Sequence, residues 1–486
     1  MTEPLWTLEA VAAAAGARLD GEPRPITGIS IDTRTLKVGD LFCAIRGEAR
    51  DGHDFVRDAL GLGAGAALVA EERAAEFAGL GPLVLAPASC GDPVLAAMGG
   101  LAAAARARST ARVVAVTGSV GKTGTKEALR HVLAAQGPTH ASVASYNNHW
   151  GVPLTLGRMP AASRYGVFEV GMNHAGEIAP LTRLIRPEVA VVTTVEPVHI
   201  EHFRSIDGIA DAKGEIFSGL EPGGVAILNR DSPSFERLKA HALASRAGRV
   251  IGFGEHPEAD VRAERIVLRP DLSIVDASVL GVPVTYQLGT PGRHTALNSL
   301  AVMAVVRALG ADLALAALSL AQLKPPAGRG ERTRLALPGG DALLVDESYN
   351  ANPASVRAAL ATLAGVATTG GGRRIAVLGD MLELGPETLR LHRDLAGPVA
   401  EHGIDLVFTA GPMMHELFEA LPTAQRGREA PTSADLVEAV VEAVRPGDAV
   451  MVKGSNSTRM GRIVEALKAR YGSGAADPTR SAGQPG

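Results

Sequence analysis

One stretch constrains the fold of this chain more than any other: an apolar strand that runs without a break into a glycine turn and a Lys-Thr pair. It reads Val113-Val114-Ala115-Val116-Thr117-Gly118-Ser119-Val120-Gly121-Lys122-Thr123. Four consecutive apolar residues indicate a strand covered on both faces. A helical pattern over about 122–135 follows. Strand, turn and helix in this order bring backbone N–H groups and the positive end of a helix to one point, which suits phosphate. Lys122 offers a point charge to the β- and γ-phosphates, and the Thr123 hydroxyl suits Mg²⁺. Gly118, Ser119, Val120, Gly121, Lys122, Thr123 and Gly124 are therefore the candidate nucleotide contacts. The spacing is shorter than the common motif. A glycine belongs five residues before Gly121, where Val116 stands, and the pattern here is G-x-x-G-K-T. A glycine turn with an incidental lysine is the competing reading, and the order of the elements argues against it. The motif points to ATP or GTP and says little about the reaction.

The flanking sequence fits a parallel, doubly wound α/β sheet. Strands are predicted near Tyr165–Val170, Val189–Val195 and Val225–Leu228, with helices at about 176–185 and 207–220 between them. Segment 260–288 alternates like strands, and a helix is predicted over Ala296–Leu309. Upstream lie short strand-like runs, Ile26–Ile31 and Asp40–Ile45, and Ala-rich helices at about 7–16 and 93–107. Lys324-Pro325-Pro326-Ala327-Gly328 reads as a linker. Beyond it the alternation restarts, with strands at Ala342–Val345, Ile375–Leu378, Leu406–Thr409 and Ala449–Val452 and helices at 353–364, 386–401 and 458–470. At about 150 residues per domain, 486 residues make roughly three. The expected division is 1–108, 109–326 and 327–471, with a small, polar tail over 472–486 expected to be disordered.

Composition narrows the function. Lys and Arg number 48 against 52 Asp and Glu, a net charge of −4. A dedicated nucleic-acid binder needs an excess of cations, so none is expected. Hydrophobic residues reach 46% but aromatic ones only 3%, so the cores must be aliphatic. Two cysteines make no disulfide framework and fit a reducing compartment. Glu3 and Glu9 do not fit a secretory signal. The longest apolar run, Val94–Ala105, falls short of the about 20 residues a membrane span needs. A cytoplasmic protein without membrane insertion is expected.

Four positions carry further chemistry. Glu169 is the one charge in an otherwise apolar strand, a costly placement unless it is paired or on a metal. With Thr123 it makes a Mg²⁺ site; a solvated rim position is the alternative. His199 and His202 suggest zinc spacing, but two histidines alone read more simply as structural. Lys213 lies in a helix capped by Ser205 or Asp207 and reads by itself as a solvated lysine.

Together these segments resemble the Mur ligases of peptidoglycan synthesis. The resemblance rests on the G-x-x-G-K-T loop, Glu169, Glu196-Pro197-Val198-His199-Ile200-Glu201-His202-Phe203, Ala212-Lys213-Gly214-Glu215-Ile216 and Leu288-Gly289-Thr290-Pro291-Gly292-Arg293-His294-Thr295-Ala296-Leu297-Asn298. Ser30-Ile31-Asp32-Thr33-Arg34, Asn147-Asn148-His149-Trp150 and Asp346-Glu347-Ser348-Tyr349-Asn350-Ala351-Asn352-Pro353 narrow it. They resemble the member that joins D-alanyl-D-alanine to UDP-N-acetylmuramoyl-tripeptide through an acyl phosphate. The alternative is a sibling that adds a single amino acid. A nucleotide-binding switch without ligase activity would have no use for the outer motifs.

The resemblance implies three domains: a small α/β domain for the UDP end, a central parallel-sheet ATPase domain, and a Rossmann-like domain that binds the dipeptide. It implies a monomeric, cytoplasmic bacterial enzyme using ATP and two Mg²⁺. Lys122, Lys213, His199 and Arg329 become the catalytic set. Thr123, Glu169, His199 and Lys213 become the metal set, with Lys213 carbamylated by CO₂, which reverses its solvated reading. Asn298 is implied at the adenine, Arg329 at the γ-phosphate, and Asp346, or else Glu347, at the ribose. Ser30, Asp32 and Arg34 are assigned to the uridine diphosphate. Asn147 and Asn148 face the UDP-peptide, and Tyr349, Asn350 and Asn352 line the acceptor pocket. A loop-capping role competes for these last five.

Overall fold

The computed structural model describes residues 4–472, apart from 48–49, 144, 198–200, 202 and 204. Three α/β units follow one another along the chain, each built on its own sheet. The N-terminal sheet runs Arg18–Asp20, Leu83–Ala86, Ala66–Ala70, Asp40–Cys43, Gly28–Ser30, all parallel except the first pair. The central sheet has nine strands. Their order is Val282–Leu288, Ser273–Val279, Val261–Leu268, Ala247–Gly254, Gly224–Asn229, Val189–Val192, Arg112–Thr117, Tyr165–Glu169, Thr139–Ala141. The first three pair antiparallel and the rest are parallel. The third sheet has six strands, with Glu331–Leu337 antiparallel at one edge of a parallel set.

The apolar run beside the glycine turn behaves as strand geometry requires. Successive side chains point to opposite faces. Val114 and Val116 enter one central core, and Val113 and Ala115 enter the other. Both faces are covered by helices, so a continuous apolar run is needed where an alternating one would serve a half-exposed sheet. Ile375–Leu378 divides between two cores in the same way.

Several elements have no counterpart among the predicted ones, and one of them joins two units. Gly151–Gly157 is a helix, and all seven of its residues are buried. Its sequence, GVPLTLG, is poor in helix formers. Burial supplies what propensity lacks. Leu154 enters the N-terminal core, while Val152 and Leu156 enter a central one. Trp6 Nε1 donates to the Gly157 carbonyl at 2.9 Å, and Arg158 Nε donates to the Ile29 carbonyl at 2.7 Å. This helix joins the first two units.

Several predicted elements are shorter or broken. The strand from Val189 stops at Val192, because the following residues turn to hold the phosphate loop. The helix at 207–220 starts at Ile206 and ends at Gly214, followed by a 3₁₀ turn over Glu215–Gly219. The helix at 386–401 divides into Thr388–Arg393 and Ala396–Glu401. Pro398 has no N–H to offer the carbonyl of Asp394, so the second piece restarts with proline in its first turn. The helix predicted from 458 begins at Gly461. Residues 473–486, the bulk of the predicted tail, lie outside the described residues.

Candidate active site

A cleft of about 600 Å³ separates the phosphate loop from the third unit. Ser119–Thr125 line one wall, and Arg329, Glu347, Tyr349, Asn350, Asn352 and Lys453 line the other. Gly121 adopts φ +88° just ahead of the helix Lys122–Ala134, a conformation that favours glycine. A Cβ there would also press on the carboxamide of Asn298. The segment after strand Val189–Val192 braces the loop. The Ser119 N–H donates to the Thr194 carbonyl at 2.8 Å, Ser119 Oγ donates to the Glu196 carbonyl at 3.0 Å, and Thr193 Oγ1 donates to the Val120 carbonyl at 2.6 Å. The first helical N–H groups, from Lys122 on, have no partner within the helix and face the cleft end. Lys122 Nζ folds back to donate to the Gly118 carbonyl at 2.7 Å. Burial pushes its pKa down; nearby Glu169 opposes this and Arg329 adds to it.

Glu169 is 1% exposed at the end of its strand, and both carboxylate oxygens are engaged. Thr123 Oγ1 donates to one at 2.9 Å, and Asn147 Nδ2 donates to the other at 2.7 Å. A carboxylate and a hydroxyl that meet beside a phosphate loop are hard oxygen donors, which fits Mg²⁺. Lys213 is 2% exposed and its ammonium has no hydrogen-bond partner among the described residues. Burial, then the neighbouring charge of Lys122, pushes its pKa well below the ordinary lysine range. The carrying helix is capped by Ser205, whose Oγ accepts from Gly208 N–H at 3.2 Å, and not by Asp207. His199 and His202 lie outside the described residues.

Across the cleft, the Arg329 guanidinium lies 4.2 Å from the centre of the Tyr349 ring. Asp346 and Glu347 part company. Asp346 turns into its own loop, where Oδ1 accepts from Ser348 N–H at 3.0 Å and Ser348 Oγ at 2.6 Å. Glu347 lines the cleft and pairs with Lys453 at 3.3 Å. Asn352 caps the helix Pro353–Ala364: its Oδ1 accepts from Ser355 N–H at 2.8 Å, and its own N–H donates to Ser355 Oγ. Asn350 Oδ1 accepts from Ala351 N–H at 2.9 Å. Both asparagines cap locally and still line the cleft.

Other predicted residues are not gathered here. Ser30, Asp32 and Arg34 sit in the N-terminal unit, away from the cleft lining. Arg34 grips Asp32 through three side-chain hydrogen bonds of 2.9, 3.1 and 2.6 Å and leaves most of its side chain exposed. Asn148 makes a local turn, its Oδ1 accepting from Gly151 N–H at 3.0 Å. One loop nevertheless spans the distance. Tyr146 is close enough to Arg34 to act on its charge, and the next residue, Asn147, holds Glu169.

Lys453 is a site residue that the sequence patterns did not single out. It is 3% exposed, and Nζ donates to the Asn350 carbonyl at 2.9 Å as well as to Glu347. The signal was present: a lone charge closing the apolar strand Ala449–Lys453, as Glu169 closes its own.

A parallel sheet that ends in a phosphate loop, facing a second α/β unit across a charged cleft, defines a nucleotide-dependent enzyme. Family models match along most of the chain: the Mur ligase family catalytic domain over residues 25–107, the Mur ligase middle domain over 116–306, and the Mur ligase glutamate ligase domain over 328–456. The chain belongs to the Mur ligase family. It is 35% identical over 463 residues to the UDP-N-acetylmuramoyl-tripeptide–D-alanyl-D-alanine ligase of Escherichia coli, covering 95% of this chain and 98% of that one. The Bacillus subtilis ligase of the same name is 32% identical over 92% of this chain and 94% of its own. A MurF crystal structure from Acinetobacter baumannii superposes with a TM-score of 0.81 at 29% identity, covering 96% and 99% of the two chains. A MurF ligase from Thermotoga maritima in complex with ADP gives 0.74 at 25% identity, covering 91% and 97%.

Proposed function

We propose that this chain joins D-alanyl-D-alanine to UDP-N-acetylmuramoyl-tripeptide, consuming ATP, releasing ADP and phosphate, and forming the pentapeptide precursor of peptidoglycan. One observation carries the reading. A chain matched over 95% of its length by a ligase of that name places Lys122 and the Thr123–Glu169 pair on one wall of a cleft and Arg329 on the other.

The three units divide the chemistry. Residues 1–108 take the UDP end, 109–326 ATP and metal, and 327–471 the dipeptide. The tripeptide's terminal carboxylate attacks the γ-phosphate and ADP leaves. The dipeptide amine then attacks the acyl phosphate carbon and phosphate leaves. Phosphoryl transfer asks mainly for positioning and charge neutralisation. Gly118–Gly124 cradle the phosphates and Lys122 meets the β- and γ-oxygens. Arg329 reaches the transferred group, its plane held by Tyr349. Thr123 and Glu169 would hold one Mg²⁺, and Glu169, His199 and Lys213 would hold a second. Bound there, such ions would supply neutralisation of the phosphate charge. Lys213 would serve as its carbamate: the neutral amine attacks the carbon of CO₂, an N–C bond forms as one C=O π bond opens onto oxygen, and the nitrogen loses a proton. Its burial favours the neutral amine this requires. Asn298 contacts adenine, and Glu347 lies better placed than Asp346 for the ribose. Ser30, Asp32 and Arg34 take the uridine diphosphate. The protein acts as a monomer in the cytoplasm; among the described residues no helix is long and apolar enough to cross a membrane.

The test is to incubate the protein with ATP, Mg²⁺, UDP-tripeptide and D-alanyl-D-alanine and weigh the product. A pentapeptide mass is expected. Phosphate release with single amino acids and none with the dipeptide would transfer the chain to a sibling activity.

A further inference from the structure

We propose that Lys126 is a positioning residue for the Thr123–Glu169 metal pair, acting through the loop 142–147. The inference rests on the reading of that pair as a Mg²⁺ site.

Lys126 lies three residues after Thr123 on the helix Lys122–Ala134, so the two share a face. It is 0% exposed. An ammonium buried that deeply is costly unless it is paired, and an aliphatic side chain would fill the same space. Its Nζ donates to the Ser142 carbonyl at 2.8 Å and to Glu127 Oε1 at 2.5 Å. Glu127 also takes Arg130 at 2.7 Å, so charge is balanced at the helix itself. The bond to Ser142 is different in kind, because it leaves the helix and anchors a loop. The strand Thr139–Ala141 ends just before Ser142, and among the described residues no regular element follows until Gly151.

That loop grips Glu169 at two points. Ser142 Oγ accepts from the Glu169 N–H at 3.3 Å, and Asn147 Nδ2 donates to its carboxylate at 2.7 Å. The Asn147 carbonyl in turn accepts from the Gly171 N–H at 2.8 Å. Ser145 Oγ lies 3.4 Å from Thr123 Oγ1. The anchored loop saturates one carboxylate oxygen and orients the other toward Thr123. Partners of metal ligands set affinity in this way, and their loss costs about tenfold or more.

The experiment uses the full chain and reads metal binding directly, by the EPR signal of free Mn²⁺ titrated in the presence of ADP. Wild-type protein is expected to take up Mn²⁺. If it does not, the metal reading itself fails, whatever the variants do. Lys126→Met is expected to weaken Mn²⁺ binding about tenfold while metal-free ADP affinity stays within about twofold. Lys126→Arg, which keeps a donor, is expected to recover most of the loss. Asn147→Ala is expected to match Lys126→Met, and the double variant to lose no more than either alone, because both act through one loop. Wild-type Mn²⁺ affinity in Lys126→Met, or losses that add in the double variant, would overturn the proposal. Should Lys126→Met not fold, Lys126→Leu, which likewise lacks a donor, is expected to show the same loss, and unchanged Mn²⁺ affinity in it would overturn the proposal equally.

Discussion

The two junctions of this molecule are made differently. Between the first and second units lies a dry seam. The helix Gly151–Gly157 is buried over its whole length, and Arg108 stacks 3.4 Å from the centre of the Trp6 ring. Between the second and third units lies an open cleft whose walls carry Lys122, Glu169, Arg329, Glu347 and Lys453. Apolar seams lock units together, whereas polar interfaces leave relative motion as the default. The contrast separates two duties. On the proposed function, the UDP-binding end would be held to the phosphate loop, and the third unit would be left to close over an acyl phosphate that water would destroy.

Breaking each seam should therefore give a different kind of damage. The largest effect is expected at the buried amine beside Lys122. Lys213→Ala should lower kcat by about a thousandfold, the scale for losing a main electrostatic group. Added bicarbonate should not restore phosphate release, and near-normal turnover would refute the carbamate role. At the dry seam, Leu154→Ala should cost about 3 kcal/mol of stability, read by thermal melting, with KM for ATP changed less than about twofold. A large change in ATP affinity would show that the seams are coupled. Arg329→Ala should lower kcat about a hundredfold and leave the melting temperature almost unchanged, since the side chain is only half-buried. Lys453→Met should cost about tenfold in kcat/KM for the dipeptide by freeing the Glu347–Asn350 loop beneath Arg329.

The smallest expected effect is on stability against pH. The folded state holds the Lys213 pKa well below its ordinary 10.5. Between those two values the unfolded chain binds the extra proton, so stability should rise with pH across that window and level off above 10.5. In CO₂-free buffer, Lys213→Met should lack this part of the slope. A slope unchanged by the substitution would mean that the amine is not held neutral.

Local features were legible in the order of residues alone. The strand, glycine turn and Lys-Thr pair depend on neighbours in sequence, and the phosphate loop forms where they stand. Pro353–Ala364 matches its predicted span, and Val282–Leu288 closes the strand-like segment 260–288, for the same reason. Features set by distant partners were not legible. Thr193, Thr194 and Val195 read as strand because β-branched residues favour strands, yet Thr194 gives its carbonyl to Ser119. The helix Gly151–Gly157 forms against its propensity because it is buried from two sides. Lys453 closes its strand with the same lone-charge signal as Glu169, but nothing local indicates that it meets Glu347, 106 positions away.

By its own order of residues, the chain determined a doubly wound α/β architecture, a phosphate-binding turn and the identity of the charged groups available to it. These follow from short-range periodicity, glycine stereochemistry and the cost of burying charge. Tertiary structure decided which of those charges meet. It turned Asp346 inward and Glu347 toward the cleft, gave Asn147 to Glu169, and enclosed Lys213 beside Lys122 without a hydrogen-bond partner among the described residues. The physical reason is that a side chain's pKa and partners depend on what surrounds it in space, and a helix lysine carries no local mark of whether its face will be wet or dry.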